Sequence, residues 1–81
     1  MQNTIQLGLY QHYKGNHYQV IGLARHSETL EPLVVYQAFY GDYRLWVRPL
    51  ELFMGTVVQD SKEIPRFKFV GALLSQLPAL R

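Results

Sequence analysis

Pro49 is the residue that most limits what this chain can become. It sits in Leu45-Trp46-Val47-Arg48-Pro49-Leu50-Glu51-Leu52-Phe53. Proline cannot donate to a sheet ladder, and it holds the preceding residue extended. A strand ending at Arg48 must therefore stop, and proline suits the first position of a helical turn. Leu50 and Phe53 then lie three apart on one side of that turn, and Gly55 ends it. In the strand, Leu45 and Val47 fall on one face and Trp46 and Arg48 on the other. A strand, an apolar one-turn plug and another strand is how a small barrel closes one end.

The rest of the chain reads as short antiparallel strands. Gly8–Tyr13 and His17–His26 flank the turn Lys14-Gly15-Asn16 and form a hairpin. Both faces of the second strand are partly apolar, and Gly22 can mark a bulge within it. Leu33–Tyr40 is rich in β-branched and aromatic residues. Gly41-Asp42 turns it into Arg44–Arg48. After the plug come Gly55–Asp60, a turn at Ser61-Lys62, and a short edge strand through Pro65 and Arg66–Val70. Leu73, Leu74, Leu77 and Leu80 have helical spacing, and Pro78 keeps that helix short. The expected fold is a small all-β, SH3-like antiparallel barrel of about five strands, with an OB-like barrel as the alternative. A flexible tail over residues 1–7 and a C-terminal tail over 71–81 flank a barrel at 8–70. The C-terminal tail carries a short amphipathic helix and offers a route to self-association.

With 81 residues there is room for one domain. The hydrophobic fraction of 48% argues against disorder. The net charge is +2, and each half of the chain carries four cations against three acids. That balance is too weak to suggest a duplex DNA binder. The chain has no cysteine, which removes disulfides, thiol catalysis and thiolate metal sites. It also fits a cytoplasmic setting. No segment approaches the roughly 20 apolar residues of a membrane span, and no signal peptide is read at the N-terminus.

Four pieces carry a resemblance: Tyr10-Gln11-His12-Tyr13-Lys14-Gly15, His26-Ser27-Glu28-Thr29, Leu33-Val34-Val35-Tyr36, and Leu45-Trp46-Val47-Arg48-Pro49-Leu50 with Phe53. Together with Pro65-Arg66-Phe67 they resemble the bacterial domain of unknown function 1653 family, over roughly residues 8–70. The resemblance implies a compact intracellular bacterial domain and no particular activity.

The side chains with usable chemistry are few. His12, His17 and His26 lack metal-ligand spacing, and no cofactor is expected. Ser27 beside His26 cannot form a nucleophile and base in an extended segment, where neighbours point to opposite faces. His26, Glu28 and Arg48 are a candidate network, either structural or functional. Arg48 is expected to contact Trp46 or Glu28. The leading expectation is a non-catalytic binding module for a peptide or small anionic ligand. Its pocket is built by Tyr10, His12, His26, Glu28, Trp46 and Arg48. An alternative is contact with single-stranded RNA through Lys14, Arg48, Arg66 and Tyr13. A third is an enzyme using His26 and Glu28 as acid and base.

Overall fold

The computed structural model describes residues 4–72. The elements in order are β1 (Gly8–His12), β2 (His17–Arg25), β3 (Pro32–Ala38), β4 (Leu45–Pro49), α1 (Leu50–Phe53), β5 (Thr56–Gln59), β6 (Lys62–Pro65) and β7 (Phe67–Gly71). Five of the strands form one sheet in the order β4-β3-β2-β1-β7, and β5-β6 form a separate hairpin. Every pairing is antiparallel.

The turns follow from local chemistry. Gly15 takes φ 111 between β1 and β2, where its N–H reaches the His12 carbonyl at 2.7 Å. Asp60 and Ser61 take φ 53 and 66. Two successive left-handed residues suit the right-handed twist of a two-residue hairpin. The turn therefore falls one residue before the expected Ser61-Lys62, and Lys62 opens β6. The expected single edge strand near Pro65 is two strands. The break comes at Arg66, where the chain passes between ladders: its N–H extends the β5–β6 pairing to the Gly55 carbonyl at 3.0 Å, and its carbonyl extends the β1–β7 pairing by accepting from Tyr13 at 2.9 Å.

Gly22 does mark a bulge. Val20 pairs with Tyr36, but Gly22 pairs with Val35 and Leu23 with Val34. An extra residue in one strand shifts every later side chain to the other face. Leu23, not Ala24, therefore joins Tyr18 and Val20 on the inner face, and Leu23 packs against the core.

That core consists of Tyr10, Val20, Val34, Tyr36, Leu50, Phe53 and Phe67. The plug behaves as its spacing predicts: Leu50 and Phe53 are buried, and Leu52 is exposed. Phe53 stacks on Phe67 with ring centroids 4.0 Å apart and takes Tyr10 and Tyr36 edge-on. In β4, Trp46 lies opposite Tyr36 and Arg48 opposite Val34. Directly opposed residues share a face, so Trp46 and Arg48 point inward. Leu45 and Val47 look outward and are exposed.

β4 and β7 are the two edges of the sheet. In a flat sheet, four strand spacings would hold them roughly 19 Å apart. Yet the Arg48 guanidinium carbon from β4 lies 5.9 Å from the centre of the Phe67 ring on β7. The sheet is strongly curled. Among the described residues no strand pairing closes it into a barrel.

Ahead of β1, Ile5 packs on the core and the Gln6 carbonyl accepts the Tyr10 hydroxyl at 2.7 Å. Among the described residues no helix is long and apolar enough to cross a membrane. The short helix expected at Leu73–Leu80, and association through it, lie outside the described residues.

Two glycines in the sheet should respond differently to a side chain. Gly8 has φ 139, and a Cβ there would meet the Gly71 carbonyl oxygen at 2.6 Å. Gly22 has no atom within 4 Å of an added Cβ. Gly8→Ala should lose about 1–3 kcal/mol in urea unfolding, and Gly22→Ala should stay within about 0.5 kcal/mol of the parent. Equal losses would refute this account of the β1–β7 contact.

Candidate functional site

The curl gathers polar groups over the aromatic core. Arg48 is fixed at the end of β4 by Pro49. Its Nε donates to the Tyr36 hydroxyl at 3.4 Å, while its guanidinium lies over Phe67. Tyr18 meets Tyr36 and Phe67 edge-on, with centroids 5.4 and 5.6 Å away. The Tyr18 and Tyr40 hydroxyls are 2.8 Å apart. Burial, then the Tyr40 hydrogen bond, holds the Tyr18 phenol well above its usual range, and Arg48 opposes the shift. Tyr18 therefore stays neutral and can donate or accept.

His12 and Arg66 enter from the β1 and β7 side. His12 lies opposite Phe67 and packs edge-on against it at 4.9 Å. Its Nδ1 accepts the Lys14 backbone N–H at 3.2 Å. Burial first, and then Arg66, Arg48 and Lys14, lower its pKa below the ordinary 6.5. All the charges acting on it are positive. Arg66 is anchored by its backbone on both sides: its N–H reaches Gly55, and its carbonyl accepts from Tyr13 at 2.9 Å. The Arg66 Nε is buried and has no hydrogen-bond partner among the described residues. An open groove of about 340 Å³ flanks His12, lined by Gln11, Tyr13, Gly15, Ile64, Pro65 and Lys68. Lys14 stands over the Tyr13 ring at 5.8 Å.

Phe67 thus joins His12 and Arg48, which pack on it at 4.9 and 5.9 Å, and the charges of Arg66 and Lys14 also reach His12. The structure does not join the other candidates to them. Tyr10 is a core residue whose hydroxyl is taken by Gln6. Arg48 was expected on Trp46 or Glu28. It bonds Tyr36 and covers Phe67 instead, because the curl brings the far edge of the sheet beneath it. Trp46 is on the inner face but 49% exposed, and its indole pairs with no aromatic ring among the described residues.

His26 has a local task. Its Nδ1 accepts the backbone N–H groups of Glu28 and Thr29 at 3.1 and 3.3 Å. Its own N–H and carbonyl bond Glu31 and Leu30. The Glu28 carboxylate forms no hydrogen bond or ion pair among the described residues, where Arg44–Asp42 is the ion pair formed. The His26–Glu28–Arg48 network is therefore absent there. His26 Nδ1 is engaged by the loop backbone, and the His26 and Glu28 side chains make no hydrogen bond to each other among the described residues.

Tyr40 and Phe67 carry no mark in the sequence that assigns them to the site. Phe67 reads as one more strand aromatic. Tyr40 lies beyond the end of β3, where period-2 alternation no longer reports direction. Among the described residues no group of His, Asp and Glu can hold a metal ion.

The loop after β2 supplies a direct check. His26→Ala removes an acceptor from two backbone N–H groups at an exposed turn. It should lower stability by about 1 kcal/mol in a denaturant melt. His26→Asn, whose side-chain oxygen can accept from the same groups, should recover most of that. Failure of Asn to recover any stability would show that His26 acts through packing.

Comparison with known proteins bears on the same residues. No curated protein matches the chain. A solved crystal structure of a DUF1653 protein from Bordetella bronchiseptica is similar over 86% of this chain and 92% of that one. Its identity is 39% and its TM-score 0.78. The model of the family described as protein of unknown function (DUF1653) matches residues 8–69, which include β1 through most of β7 and every candidate site residue. The chain belongs to the DUF1653 family.

Proposed function

We propose that this domain is a non-catalytic binding module that holds a small anionic group, free or carried by a peptide, among His12, Arg48 and Arg66. The observation that carries the reading is the buried, unpartnered Nε of Arg66. A buried donor left unsatisfied costs about 1–3 kcal/mol, more when it is charged. Here it belongs to a group of cations with no ion-paired carboxylate among the described residues. An oxyanion supplies what the cluster lacks: acceptors for Arg66, a counter-charge for Arg48, and a partner for His12. The neutral Tyr18 hydroxyl adds a donor at the same place. In this reading the domain is SH3-like, with the curled sheet as its binding face. Its cysteine-free composition supports a reducing compartment such as the cytoplasm.

A second reading is contact with single-stranded RNA through Lys14, Tyr13, Arg48 and Arg66. It is favoured by the cation over an aromatic ring at the mouth of the groove. Salt separates the two. Several phosphate contacts give an affinity falling steeply with salt, and a single anion site gives a shallow slope.

Sulfate keeps its charge near neutrality and is a suitable probe. Titrated into the protein, it should raise the His12 pKa in an NMR titration, because an anion favours the imidazolium. The linked consequence is that sulfate binds more tightly as pH falls from 7.5 to 5.5. Arg66→Met keeps the apolar stem and removes the orphaned donor. It should leave stability unchanged or higher and abolish the sulfate-induced shift. Arg48→Lys should leave Tm nearly unchanged and weaken sulfate roughly tenfold through loss of the planar fork. An undiminished sulfate response in Arg66→Met, together with a core-sized loss of stability, would make Arg66 structural and end the proposal.

A further inference from the structure

Trp46 is the large aromatic of the inner face that the core leaves out. It sits opposite Tyr36 and half exposed, and its indole pairs with no aromatic ring among the described residues. Tyr36 itself is buried and receives the Arg48 Nε. Trp46 and Arg48 are two residues apart on one face of β4, so their backbones are separated by one side-chain repeat, about 7 Å. Neither can drift far. Pro49 ends the strand directly after Arg48, and the pairing with β3 runs unbroken from Leu33–Pro49 to Gln37–Leu45. The edge of the sheet thus offers a flat apolar platform beside the cation group.

We propose that the ligand is a nucleoside monophosphate unit, its phosphate held by Arg48, Arg66 and His12 and its base stacked on Trp46. This rests on the anion-binding reading and adds the class of molecule. The base faces of nucleotides are planar and stack on aromatic side chains with little preference for sequence. One repeat of a strand suits a base and its own phosphate. A net charge of +2 fits one phosphate rather than a long polyanion. The same chemistry comes from two sources, a free nucleotide and the 5′-phosphorylated end of an RNA. Both present a terminal phosphate next to one base.

The test compares ribose 5-phosphate with AMP, following Trp46 fluorescence and calorimetric affinity on the full chain. AMP should bind roughly tenfold more tightly than ribose 5-phosphate, in line with one base–aromatic stack, and should quench the indole. Trp46→Ala should bring AMP down to the affinity of ribose 5-phosphate and leave ribose 5-phosphate itself unchanged. Trp46→Phe should restore most of the gain. A short RNA with a 5′-phosphate, compared with its 5′-hydroxyl form, separates the sources. Preference for the phosphorylated RNA over AMP assigns the site to an RNA end, and parity assigns it to the free nucleotide. Equal affinities for AMP and ribose 5-phosphate, with no quenching, overturn the base platform while the anion site stands. Binding of neither, where sulfate also fails, overturns both.

Discussion

The fold depends on the parallel stack of Phe53 on Phe67, with centroids 4.0 Å apart. Phe53 belongs to the plug and Phe67 opens the last strand, so the contact ties the middle of the chain to its far edge. Tyr10 and Tyr36 lean edge-on against Phe53 from β1 and β3. The rings of three sheet strands therefore converge on one residue that is fully buried. A flat sheet could not deliver them. The Gly22 bulge, and the irregularity between Leu9 and Tyr10 on β1 where Gly8 lies against Gly71, increase twist at two places along the sheet. Curl and stack require each other: the bulges permit the curvature, and burial of the plug stabilises it.

The curl stops short of a closed ladder, and the cations collect at that seam. β4 and β7 meet through side chains, with Arg48 reaching across to Phe67. Backbone pairing there would have joined the edges by a ladder of hydrogen bonds. Instead the edges are joined by a guanidinium, a phenol and an aromatic ring. Arg66 lies where the chain passes from one ladder to the other, its N–H on Gly55 beside β5 and its carbonyl on Tyr13 beside β1.

Much of this architecture is legible in the residues. The plug follows from Pro49 with Leu50 and Phe53. The first hairpin follows from Gly15, and the bulge was marked by Gly22. What sequence could not give is which face of β4 points inward. Leu45 and Val47 look more like core residues than Trp46 and Arg48, and alternation alone is symmetric. The partner across β3 decides the matter, and that is a long-range fact. Arg48 was misplaced for the same reason. Trp46 is near it in sequence and Glu28 carries the opposite charge, but Tyr36 and Phe67 reach it only through the register and the curl. His26 reads as a site residue because histidine is chemically versatile. Its Nδ1 instead receives the Glu28 and Thr29 backbone N–H groups, and its own backbone bonds to Glu31 and Leu30 close the loop in which Leu30 takes φ 66. Arg66 has no local signal for an unpartnered donor, since satisfaction of a group depends on everything folded around it.

His12 joins the scaffold to its chemistry, and its energetics run in one direction. Burial and three neighbouring cations hold its pKa below 6.5, so the unfolded chain binds a proton more tightly than the folded one. Its contribution to stability is complete above about pH 6.5 and is lost as pH falls toward the folded value. The same cations that make an imidazolium costly at this position make an anion favourable. In the proposed reading, a negative group would offset each charge that lowers the His12 pKa, so proton uptake and anion binding would favour one another. The free protein keeps His12 neutral, with Nδ1 receiving the Lys14 N–H. That arrangement holds the ring in one orientation beside Phe67. His12 is therefore ordered by a hydrogen bond and aromatic packing, while the cations around it form no ion pair among the described residues.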